Sequence, residues 1–113
     1  MKMLRVYWVL QLLVLTAYTV PVIQDHGINL APLFVGAIAE MTWYGQFNLD
    51  FFLLLTLAGI WVSWRQGHTL LGLTLGVLTS VGGCMVLCVY LLVAAKQAQG
   101  DAKKLLLGVH AQP

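Results

Sequence analysis

"LLGLTLGVLTSVGGCMVLCVYLLVAA", Leu70 to Ala95, decides how the rest of the chain is read. It holds no Asp, Glu, Lys or Arg, and a helix needs roughly 20 mostly apolar residues to cross the hydrocarbon core of a bilayer. The stretch therefore predicts a membrane-spanning helix over 70–95, long enough to tilt. Gly72, Gly76, Ser80, Cys84 and Cys88 recur along it every fourth residue, opening with the GxxxG of "GLTLG". Small residues at that spacing form a groove that lets a second helix backbone approach closely. Packing against another helix of the same chain and docking of a partner both use such a groove. Gly82 and Gly83 add local bending.

Two further stretches lack acidic and basic residues, Val6 to Gln24 and Phe51 to Trp64. With flanking residues they predict spans over about 4–23 and 48–64. Pro21 bends or ends the first. The second is marked at its far interface by Trp61, Trp64 and Arg65. Between them "QDHGIN" reads as a polar turn, and Pro32 opens an apolar segment over about 31–41 that is too short to cross comfortably. That segment is expected to be an interfacial or re-entrant helix, closed by Trp43 and Tyr44 at headgroup level. The fold class is thus all-α: an integral membrane protein with three transmembrane helices plus one short helix between the first two, in a single domain of 113 residues.

Composition agrees, since 60% of the residues are hydrophobic and 9% charged, against about 25% charged in soluble domains. The net charge of +2 comes from cations at the ends of apolar segments, which suits membrane orientation and excludes a nucleic-acid surface. The amino terminus starts with a basic residue as signal peptides do. Its apolar part is longer than a signal core and lacks a small-x-small cleavage site, so it reads as a retained span. Three spans divide the cations evenly between the two faces. A fourth crossing over 28–44 would place five of the six on one side, but Pro32, Glu40 and the scant room for a turn at "YGQ" speak against it.

Asp50 lies at the start of the second span, two residues after Asn48, a good N-cap type. In the first turn a carboxylate gains about 0.3–1 kcal/mol from the helix dipole, so capping suffices to account for it. The functional alternative gathers Asp50, Asn48, Glu40 and Gln11 into a polar or ion site, because acids at membrane depth mark pathways. Gln11 by itself serves as interhelical glue. Asp25, His26 and Glu40 match no metal-ligand spacing. His26, His68 and His110 fall in loops or the tail, not within a span as a transmembrane haem requires. No catalytic, cofactor or metal constellation is legible. The tail, 96–113, carries a helix stop near Gly100 and then two lysines before three leucines, a pattern for a surface segment on anionic headgroups or a solvated end.

"HGINL", "NLDFF", "VSWRQG", "YLL" and "QGDAKKLLLG", in that order, resemble a group of short bacterial membrane proteins catalogued as domains of unknown function. The resemblance implies a multi-pass protein of the bacterial inner membrane with three spans, and carries no agreed activity. The expected function is that of a non-catalytic accessory or scaffold component, associating through the stripe on the third helix as a homo-oligomer or in a larger membrane complex. The competing expectation is a small homo-oligomeric transporter or channel with Asp50 near a polar pathway.

Overall fold

The computed structural model describes residues 1–111. The chain is all-α: α1 (Lys2–His26), α2 (Ala31–Ala39), α3 (Trp43–Arg65), α4 (Leu70–Gly82), α5 (Cys84–Ala98) and α6 (Ala102–Leu107), followed by a 3₁₀ turn, Gly108–His110. Two helices, α1 and α3, are long and apolar enough to cross a membrane.

α1 runs through Pro21, which removes a single backbone donor, and stops only at Gly27, whose φ of 80° leaves helical space. α3 begins earlier than the apolar run alone indicates. Thr42, in extended conformation, sets its start at Trp43, and Gly45 lies so close to Ala37 of α2 that a Cβ there would meet the Ala37 carbonyl. "WYGQF" therefore opens α3 rather than closing α2. α2 lies antiparallel along the first half of α3, with Asn48 Nδ2 donating to Phe34 O at 3.3 Å and Phe34 edge-on to Phe52.

The main departure from expectation is the third span, which is two helices. At Gly83 the backbone takes φ 74° and ψ −148°, a conformation essentially closed to residues with a Cβ. Its N–H still donates to Thr79 O at 3.0 Å, and its carbonyl accepts from Leu87 N at 3.1 Å. The break therefore leaves neither group of Gly83 orphaned. The direction of α5 follows from one hydrogen bond, Tyr90 OH to Gln66 Oε1 at 2.9 Å. In a single helix from Leu70, Tyr90 would stand about 30 Å from the helix start. The chain has instead reversed, and α4 and α5 form a helical hairpin with its tip at Gly83 and both open ends beside the carboxyl end of α3.

α4 packs antiparallel on α3 along the small residues. Gly76 faces Gly59, and a Cβ built on Gly76 would lie 2.7 Å from Gly59 O. α5 packs antiparallel on α1, where Arg5 Nη2 donates to Ala95 O at 2.8 Å. The tail closes this end, with Leu105 buried against Ala94, Ala95 and Ala98, and with Met1 and Trp8 packed on the same cluster. Lys2, Arg5, Arg65, Lys96, Lys103 and Lys104, the full set of six cations, therefore share one end of the molecule. Asp25 and Glu40 lie at the opposite end, at the carboxyl termini of α1 and α2.

Candidate functional site

The residues expected to form an ion site do not converge. Gln11 is on α1, where Nε2 donates to Cys84 Sγ at 3.1 Å and Oε1 accepts from Cys88 Sγ at 3.8 Å. The two thiols are free and 3.7 Å apart, so one glutamine ties both turns of α5 to α1. Asn48 is spent on the α2 backbone. Glu40 is exposed at the end of α2. Asp50 is the eighth residue of α3, beyond the reach of the free amides of the first turn; it does not cap the helix, and its side chain is exposed. The capping account fails because α3 starts at Trp43. Among the described residues no group of three His, Cys, Asp or Glu gathers.

The small-residue stripe is divided by the reversal at Gly83. Gly72, Gly76 and Ser80 face α3, where Gly59 and Ser63 meet them. Cys84 and Cys88 face α1. Both halves are thus filled by this chain's own helices, and no continuous groove remains along 70–95.

Of the aromatics expected at an interface, Trp43 and Tyr44 are exposed at the start of α3. Trp61 and Trp64 instead hold the tail. Trp61 Nε1 donates to Leu106 O at 3.2 Å; Trp64 stacks on His110 at 4.0 Å, with His110 Nε2 2.7 Å from Trp64 O. Arg65 is turned inward and only 5% exposed. Its Nε donates to Leu105 O at 2.6 Å and Nη2 to Lys104 O at 3.2 Å. These are carbonyls in the last turns of α6; Lys104 O also accepts from Gly108 N, the residue that closes the helix. Nη1 donates to Tyr90 OH at 2.9 Å and to Gln66 Oε1 at 3.1 Å, and the guanidinium carbon lies 5.5 Å from the centre of the Tyr90 ring. Every one of these partners is neutral. The positive charge is solvated by carbonyls, an amide, a phenol and a π-face, and among the described residues no carboxylate pairs with it.

This arginine forms the wall between two cavities. The larger, about 550 Å³, opens between α1, α4 and α5 and is apolar for most of its length, with Leu12, Leu75, Met85 and Val89 among its walls. At the basic end of the molecule it meets Arg65, Gln66, Tyr90 and Gln97. The smaller, about 330 Å³, shares Arg65, Gln66 and Gln97 and adds Lys104. The arrangement has no acid-base pair; it offers an apolar slot that ends at a fixed positive charge and amide donors.

Sequence reasoning read Arg65 as an interface marker and passed over Gln66 and Gln97. These residues come together only because the chain reverses at Gly83. The Gly82–Gly83 pair within an apolar run was the available signal, as a doubled glycine is a turn former.

The fold and site together define a small helical-bundle protein with a helical hairpin set against both of its long apolar helices and a cationic, amphipathic cleft at one end. Comparison with known protein families, with curated proteins and with solved structures finds no match to this chain.

Proposed function

We propose that the chain is a multi-pass protein of the inner membrane that acts as a non-catalytic accessory or scaffold component. α1 and α3 cross the bilayer, and the α4–α5 hairpin enters from the basic side and returns to it. The positive-inside preference then places all six cations, with the start of α1 and the α6 segment, in the cytoplasm. Lengths agree with this placement, because α4 and α5, at about 20 and 22 Å, are each shorter than the hydrocarbon core of about 30 Å.

The observation that carries the accessory role is the state of α1. Its half-buried residues, among them Arg5, Trp8, Leu12, Leu15 and Thr19, lie on one stripe, yet none is fully buried, and every residue from Val20 to His26 is exposed. The last two turns of a long apolar helix are thus left largely uncovered, which suits completion by a helix from another chain. Association through α1 replaces association through the glycine stripe, which is occupied internally. Purification in a mild detergent followed by mass determination tests the reading: a complex or homo-oligomer that dissociates on Leu13→Arg is expected, and a solitary monomer would count against it.

The transporter reading keeps one supporting observation, the exposed Asp50 carboxylate well inside a helix that is able to span. Proton flux in reconstituted vesicles, lost on Asp50→Asn, would favour it over the scaffold.

A further inference from the structure

The two cavities that meet at Arg65 form one amphipathic cleft, and we infer that it binds a single anionic phospholipid, acyl chain in the apolar slot and phosphate headgroup at the basic end. The inference rests on the membrane placement proposed above and is independent of the accessory role.

Three features argue for this occupant. The larger cavity, about 550 Å³, falls within the range of about 300–1,000 Å³ typical of small-ligand sites. Its lining is apolar for most of its length, formed chiefly by α4 and α5, as an acyl chain requires. Charge complementarity then selects the headgroup. Arg65 holds a guanidinium that is almost entirely buried and, among the described residues, bonded only to neutral groups; its positive field reaches into the cleft.

Donors are also available around it. Gln66 uses its carbonyl oxygen to accept from Tyr90 and Arg65, which leaves its amide NH2 for a ligand. One of the two Nη2 protons of Arg65 is likewise unspent on Lys104 O. Gln97 lines both cavities, and Lys104 lines the smaller one beside it. A phosphate has enough acceptor oxygens to engage these donors at once, and a basic pocket between helices on the cytoplasmic side is where anionic headgroups are held. Depth agrees as well, since Gln66 and Gln97 lie at the open end of the hairpin, level with the six cations.

The test uses the full chain purified in mild detergent and supplied with equal amounts of phosphatidylglycerol and phosphatidylcholine of the same acyl chains. Native mass spectrometry then counts the lipid retained. One phosphatidylglycerol per chain is expected, preferred about tenfold or more, as two cations near an anionic headgroup give. The pair Gln97→Glu and Lys104→Glu should bring the preference to about unity, since both side chains are exposed and outside the packed core. Val89→Trp, at a position 50% exposed on the cleft wall, should displace the acyl chain and abolish retention of either lipid while helicity is kept. Indiscriminate retention by the unaltered chain would overturn the inference, as would phosphatidylglycerol retention unchanged by Val89→Trp. A chain that stays monodisperse in water without detergent would instead sink the membrane placement, and the lipid site with it.

Discussion

Arg65 shows how a single side chain organises several elements. Its guanidinium closes the carboxyl end of α6, orients Tyr90 of α5 and anchors Gln66 before α4. Lysine keeps the charge and loses the planar fork. Arg65→Lys is therefore expected to undock the tail: amide exchange across Leu105–Leu107 should accelerate about tenfold or more, as hydrogen bonds from a charged group contribute about 1.5–3 kcal/mol. Glycines divide sharply at the same scale. Gly76→Leu forces a side chain into the Gly59 carbonyl and should cost about 1–3 kcal/mol or more in a denaturant titration in detergent. Gly36→Ala meets nothing within 4 Å and should be neutral or raise stability by up to about 1 kcal/mol. That Gly76 is a contact residue was legible from its spacing. That its partner is Gly59, less than two turns before the end of α3, was not, because a small-residue stripe specifies the shape of a neighbour and not its identity.

Among the elements, the α4–α5 hairpin departs furthest from the periodic reading of the chain. Hydropathy over 70–95 is uniform, and the same residues satisfy one long helix or two short ones. The choice falls to Gly83, where a positive φ is combined with burial against Phe51 and Leu55 of α3. Gly83→Ala should destabilise the hairpin by about 1–3 kcal/mol, the usual cost of holding a Cβ in such a region. The loss should be read in the exchange of the α5 amides, with those of α2 unaffected. Because Tyr90 reaches Gln66 only after the reversal, the same variant is expected to weaken the site around Arg65. The tail behaves in the opposite way to a frayed end: Asp101 caps α6 by accepting from Lys103 N at 2.9 Å, and Leu105 is 5% exposed. The apolar "LLL" is there to dock on the bundle, and its leucines divide between Leu105 inside and Leu106 outside.

On the scale of the whole molecule, 50 × 27 × 23 Å in extent, the reversal changes where the charges sit. Three crossings put Lys103 on the face opposite Lys2; the hairpin puts the two at one end. Replacement of the native thiols by Cys84→Ala and Cys88→Ala permits a direct check. Lys2→Cys and Lys103→Cys should then react with an impermeant maleimide from the same side of sealed vesicles, and Glu40→Cys from the other. Reaction of Lys2→Cys and Lys103→Cys from opposite sides would restore a third crossing. The sequence by itself determined the class: an all-α chain whose two long helices, α1 and α3, are apolar enough to cross a membrane is legible from hydropathy, because long runs with so few charges suit helices whose backbone groups bond internally. Only the tertiary structure decided the path. Whether Gly83 bends a helix or reverses it, and whether Arg65 faces out to headgroups or in to the carbonyls of α6, depends on contacts between residues up to forty positions apart, and local periodicity carries no record of them.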